Sequence, residues 1–178
     1  LLSSRGVNTV EAAEKFLSPD KSDFINPFEL YGMNAAVERI NKAISLNESV
    51  LIYGDYDCDG LTAISILYTF LKDKIDKVSY YVPNRHSDGY GLHDIVVEDL
   101  TKNEGIDLVI TVDCGITSKN EVKCIKEMGI DVVVTDHHEP IPELIPDGIV
   151  LNPKVDRKSF SDYCGAGVVF KLIPVSYT

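Results

Sequence analysis

The string Gly54-Asp55-Tyr56-Asp57-Cys58-Asp59-Gly60 sets Asp55, Asp57 and Asp59 at alternate positions of one short stretch. Carboxylates crowded in this way repel one another and raise each other's pKa unless a cation sits among them. Two later strings, Asp113-Cys114-Gly115 and Asp136-His137-His138-Glu139, add donors of the same class. A mixed carboxylate and imidazole set, with no thiolate required, suits Mn²⁺ or Mg²⁺ better than structural zinc. The inventory exceeds what one ion needs, so two ions fit it. Such a pair activates a water and holds both the attacking and the leaving oxygen of a phosphoryl centre. The chemistry to expect is metal-assisted phosphoester hydrolysis.

Each string has a plainer reading when taken alone. An Asp after a strand commonly caps the next helix, which would account for Asp113. Paired histidines on a turn can be solvated surface residues, and His137-His138 in isolation would not decide the matter. Asp-x-Asp-x-Asp-Gly also opens a calcium-binding EF-hand loop, but that loop needs a glutamate at position twelve and helices on both sides. Counting from Asp55, position twelve is Ile66, and an apolar run precedes the motif. The EF-hand reading fails.

The elements that must position these groups follow from periodicity. Thr9 caps a short helical pattern through Leu17, and proline-bearing connectors follow at Pro19 and Pro27. Met33 to Leu46 has Ala36, Val37, Ile40, Ala43 and Ile44 at helical spacing. Short apolar runs at Ser49–Tyr53, Val78–Val82, Asp107–Val112, Asp131–Thr135 and Gly148–Leu151 read as strands. Helical stretches separate them at Leu61–Lys72, about His93–Lys102 and Lys119–Met128, the last closed by Gly129. Alternating helices and nearly all-apolar strands predict an α/β fold, doubly wound, with a mainly parallel five-stranded sheet and helices on both faces. Ligands in such sheets bind beyond the carboxyl ends of the strands, which is where all three strings fall.

Composition bounds the partners. The chain has 178 residues and 44% hydrophobic content, enough for one buried domain. Its net charge of −11 argues against a general polyanion binder, since Lys and Arg hold phosphate backbones. Clustered metal-binding carboxylates would account for part of that excess. Cys58, Cys114, Cys124 and Cys164 form no C-x-x-C pair and read as free thiols of a reducing compartment. A thiolate at Cys58 or Cys114 would bias metal choice, but a small residue packed under a loop is the simpler reading. No apolar run reaches membrane-spanning length, the N-terminus lacks a signal-peptide core, and a cytoplasmic location is expected.

Asp55-Tyr56-Asp57-Cys58-Asp59-Gly60, Val112-Asp113-Cys114-Gly115 and Thr135-Asp136-His137-His138 resemble the first three motifs of the DHH phosphoesterase family. Further strings resemble its branch of RecJ-type exonucleases, which cleave single-stranded DNA 5′→3′. They are Val82-Pro83-Asn84-Arg85, Asp88-Gly89-Tyr90-Gly91-Leu92, Leu151-Asn152-Pro153-Lys154 and Gly165-Ala166-Gly167-Val168-Val169-Phe170-Lys171-Leu172. The resemblance implies that Asp55, Asp57, Asp59, Asp113 and His137 form the metal site, for Mn²⁺ or Mg²⁺. It implies catalytic roles for His138, facing the scissile phosphate, and for Asp59. Arg85 is expected to contact a DNA phosphate. Gly165 and Gly167 are expected to open a helix, either cradling a phosphate with backbone N–H groups or permitting close packing. The implied partners are single-stranded DNA and, in the full-length protein, single-strand-binding protein and a helicase, in DNA repair and recombination.

The resemblance divides the chain into a lead-in segment, 1–32, and a DHH domain, 33–178, ending before the family's fourth motif and second domain. No carboxylate occurs in Leu172 to Thr178, and Pro174 is expected to cut the last helix short. A fragment of weak or no activity is the expectation. Manganese pyrophosphatases resemble His-x-x-x-Asp-x-Asp, whereas Tyr53 and Leu51 stand at the corresponding positions before Asp57 and Asp55. A phosphodiesterase of short oligonucleotides or cyclic dinucleotides, and a DHH-fold module without chemistry, are the remaining alternatives.

Overall fold

A computed structural model of the chain describes residues 1–20, 23–84, 91–157 and 162–175. Helix α1 (Val10–Leu17) comes first, and the Thr9 hydroxyl caps it by accepting from Ala12 N at 3.1 Å. A central sheet follows, with strands β1 (Val50–Gly54), β2 (Val78–Tyr81), β3 (Leu108–Val112), β4 (Asp131–Thr135) and β5 (Ile149–Leu151). The order is β2-β1-β3-β4-β5 and every pairing is parallel. The uninterrupted apolar runs are explained by this arrangement: β1 and β3 are buried along their whole length.

Helices α2 (Met33–Leu46), α3 (Cys58–Leu71) and α6 (Gly165–Val175) pack on one face around Met33, Ile40, Ile52, Leu67, Ile110 and Val168. Helices α4 (Asp94–Glu104) and α5 (Lys119–Glu127) cover the other, around Leu51, Val97, Val109, Ile125 and Val134. Met33, Ala36, Val37, Ile40 and Ala43 give α2 its buried stripe, and Asn47, in the left-handed region at φ 52°, ends it. Among the described residues no helix is long and apolar enough to cross a membrane.

Two boundaries differ from the sequence expectation. Helix α3 begins at Cys58, not Leu61, because the Asp57 carboxylate accepts from Asp59 N and Gly60 N, both at 2.9 Å, and so caps the helix. Half of the acidic motif is therefore helical. Helix α6 runs one residue past Pro174, since a proline in the last turn forfeits one hydrogen bond without breaking the turns before it.

The crossovers change direction between β1 and β3, which places a cleft at their carboxyl ends. Gly54 pairs with Val112, Val112 with Thr135 and Thr135 with Leu151, so Asp55, Asp113, Asp136 and Asn152 emerge side by side. The N-terminus of α3 closes against this edge: a Cβ on Gly60 would stand 2.4 Å from Asp55 O. Gly60→Ala is therefore expected to lower stability by about 1–3 kcal/mol, as overpacking does, measured by urea unfolding.

Candidate metal centre

Asp55 follows β1 directly. Its side chain is buried, and Oδ1 accepts from the next backbone N–H, Tyr56, at 2.8 Å. Burial pushes its carboxyl above the usual range, and the neighbouring Asp57 adds to this. Asp113 follows β3 in the left-handed region, at φ 59°. The Thr111 hydroxyl stabilises this turn by donating to Cys114 O at 2.8 Å, and the Thr135 hydroxyl donates to Thr111 O at 2.7 Å. Only 1% of Asp113 is exposed, and no described group hydrogen-bonds to its Oδ1. Burial, then the charges of Asp59 and Asp57, push its carboxyl to about 8.

His137 and His138 follow β4. The Nε2 of His137 lies 3.1 Å from Asp113 Oδ1 and 3.5 Å from Asp59 Oδ2. Burial and the adjacent His138 lower the pKa of His137, which favours the neutral imidazole that a metal needs. The ring of His138 is fixed differently: its Nδ1 is 2.7 Å from Asp136 Oδ1, and this contact raises its pKa.

Ligand atoms of Asp55, Asp57 and Asp113 lie within 4.8 Å of one another, and so do those of Asp113, His137 and His138. Asp113 is common to both groups. A buried carboxylate oxygen without a hydrogen-bond donor and crowded acids beside a neutral imidazole form a donor set that fits hard divalent cations. Two adjacent ions sharing Asp113 suit it better than one.

Asp59 is placed otherwise than its neighbours. Its Oδ2 accepts from Gly165 N at 2.7 Å and its Oδ1 from Ala166 N at 2.8 Å, so it caps α6 across the cleft. Burial pushes its carboxyl up, but these two donors outweigh that and hold it below the usual range. Of the two readings of Gly165 and Gly167, close packing is the one these contacts favour. Gly165 gives its N–H to Asp59, and Gly167 gives its own to Cys164 Sγ at 3.4 Å. Close packing is what Gly165 permits, since a Cβ there would meet Asp113 Oδ1 at 2.5 Å. Arg85 and the Asp88-Gly89-Tyr90 string lie outside the described residues.

Two residues of the quoted strings that were given no role of their own matter here. Asp136, buried, accepts from His137 N, His138 N and Ile116 N at 2.7, 3.1 and 2.9 Å, besides its contact with the His138 ring. Burial alone would raise its carboxyl, but the His138 ring and these donors hold it down. Asn152, fully buried, donates to His138 O at 3.1 Å and accepts from Lys154 N at 2.8 Å. Their signal in the sequence was position: each follows a strand in register with β1. The Cys114 thiol, whose pKa burial raises well above normal, donates to Tyr53 O at 3.9 Å and packs under the cleft.

The model of the DHH family, N-terminal domain, matches residues 49–178. The chain is 43% identical over 174 residues to the single-stranded-DNA-specific exonuclease RecJ of Bacillus subtilis (strain 168), covering 97% of this chain and 22% of that protein. It is 36% identical over 162 residues to the Haemophilus influenzae RecJ, covering 89% and 28%. A crystal structure of exonuclease RecJ bound to manganese superposes with a TM-score of 0.76 at 35% identity, covering 83% of this chain and 38% of that one. The Mn²⁺ complex of RecJ from Thermus thermophilus gives 0.68 at 32% identity, covering 83% and 21%. The chain thus spans between 21% and 38% of the length of these relatives.

The state of Asp113 can be measured without any cation. Its raised carboxyl pKa favours the protonated form in the fold, so its contribution to stability is complete below pH 3.8 and lost as pH rises through about 8. Asp113→Asn, an amide that tolerates φ 59°, is expected to remove that loss. In EDTA at pH 8.5 the variant should be more stable than the parent by about 1–3 kcal/mol, with the gain vanishing near pH 4 in thermal melts.

Proposed function

Because this chain belongs to the DHH family, whose N-terminal-domain model matches residues 49–178, we propose that its strand-edge cluster holds divalent cations, Mn²⁺ or Mg²⁺, and serves hydrolysis of phosphodiester bonds in single-stranded DNA. The supporting observation is the meeting of Asp55, Asp57, Asp113 and His137 at one sheet edge, with their donor atoms converging on Asp113. These four residues, with Asp59 beside them, would hold the ions. When bound, the cations would supply Lewis acidity toward a phosphoryl centre and acidify water.

The chain's own residues have separable tasks. Asp57 and Asp59 each use their carboxylates on helix N-termini, of α3 and α6, so a cation there would draw two helices and the strand edge together. His138, with its ring held by Asp136 through Nδ1, is the group we assign to the scissile phosphate, where an imidazolium stabilises developing charge or donates a proton to the leaving oxygen. Arg85 is assigned to a neighbouring phosphate. We extend the proposal to degradation in the 5′→3′ direction and to a role in repair and recombination, as the resemblance to RecJ-type exonucleases implies. We extend the proposal to a cytoplasmic location and to encounters with single-strand-binding protein and a helicase. The same reading separates a lead-in, 1–32, from the DHH domain that begins at residue 33.

The two histidines give a direct test. In the polypeptide that carries this chain, His138→Ala is expected to slow Mn²⁺-dependent release of nucleotides from 5′-labelled single strands by about 10²–10⁴-fold. It should keep the rise in melting temperature that Mn²⁺ produces. His137→Ala is expected to lose both. Loss of the Mn²⁺ melting shift in His138→Ala alone would reverse the assignment of the two rings.

A further inference from the structure

Lys171 is only 8% exposed, yet no carboxylate pairs with its ammonium among the described residues. Its one hydrogen-bond acceptor there is Ile25 O at 3.1 Å. The Nζ lies 4.7 Å from the centroid of the Phe24 ring and 5.7 Å from that of Tyr163. In a chain with 28 acidic residues against 17 basic ones, a buried cation kept from every described acid is unusual. Asp23, which lines the same cavity, is engaged by Lys15 at 2.8 Å and by Asp20 N at 2.9 Å.

Lys171, Phe24 and Tyr163 line a cavity of about 340 Å³, together with Asp23, Ile25 and Phe170. The rings of Phe24 and Phe170 are 63% and 52% exposed, so the cavity opens between accessible aromatic faces with a cation at its wall. A phosphate satisfies the spare ammonium donors, and a nucleobase covers an aromatic face, as in single-strand binding proteins generally. A carboxylate ligand would leave the rings unused. Lys171 also sits on α6, the helix whose first N–H groups meet Asp59.

We propose that this cavity is a nucleotide subsite in which Lys171 takes a phosphate and the exposed ring of Phe24 stacks on the base of a single strand whose end lies in the metal centre. The choice of a strand as ligand rests on the proposed function; the existence of an anion-binding cavity does not.

The test is a titration of the chain in EDTA with thymidine 5′-monophosphate, followed by amide resonances of Gly167 to Leu172. A saturable shift is expected, with thymidine lacking the phosphate binding at least tenfold more weakly. Lys171→Met should weaken the nucleotide at least tenfold, and Phe24→Leu, at an exposed position that tolerates change, several-fold. A short oligothymidylate should displace the mononucleotide. Absence of saturable shifts in the folded chain, or unchanged affinity in either variant, would overturn the proposal and leave Lys171 as a tie between α6 and the lead-in. Failure of the oligomer to displace the nucleotide would overturn the strand as its source. With cations chelated, these results stand apart from the Mn²⁺ melting shift, so either reading can fail without the other.

Discussion

Negative charge confined at one sheet edge is the constraint on which the rest of the structure turns. The register of β1, β3 and β4 brings Asp55, Asp113 and Asp136 out side by side, and the cap of α3 adds Asp57. Such a group is unfavourable in a low dielectric unless the charges are protonated, hydrogen-bonded or met by a cation. All three remedies fit within a few ångströms. Asp136 is satisfied by three backbone donors and a histidine ring. Asp59 is satisfied by the N-terminus of α6. Among the described residues Asp113 meets only the His137 ring, at 3.1 Å, and burial drives it toward its neutral form. The division separates acids held by backbone donors from the one left to a histidine and to protonation.

The supporting fold is arranged to keep that edge rigid. Two apolar layers clamp the sheet, and the glycines at 60 and 165 let helix ends approach to distances a side chain would forbid. Helix N-termini face the acids at α3 and α6, where the partial positive charge of the backbone favours a carboxylate. Asn152, fixed at the end of β5, holds the His138 backbone, while Asp136 holds its ring. Burial and the neighbouring ring thus lower the pKa of His137 while Asp136 raises that of His138, although the two are adjacent in sequence.

Much of this was legible in the chain, for identifiable reasons. Parallel strands buried on both faces leave continuous apolar runs, so β1, β3 and β4 could be found, and the residue after each was a candidate by position alone. Local rules also found Thr9 as a cap and Gly129 as a helix end. What sequence could not reveal were contacts between distant segments. The second task of Asp59 was hidden because nothing local signals that Gly165 and Ala166, more than a hundred positions later, donate to it. The early start of α3 was missed because a metal-motif reading of Asp57 obscured its cap. The holding roles of Asp136 and Asn152 show only in the register of the sheet, and the surroundings of Lys171 only in its packing against Phe24.

The central claim is that Asp113 carries a proton until a cation displaces it. Calorimetric titration of the metal-free chain with Mn²⁺ at pH 7, in two buffers of different ionisation enthalpy, measures the protons released on binding. With the Asp113 carboxyl at about 8, release of close to one proton per chain is predicted, falling toward zero as the pH is raised past 9. Mn²⁺ binding with no proton release at pH 7, or no binding at all, would contradict the account.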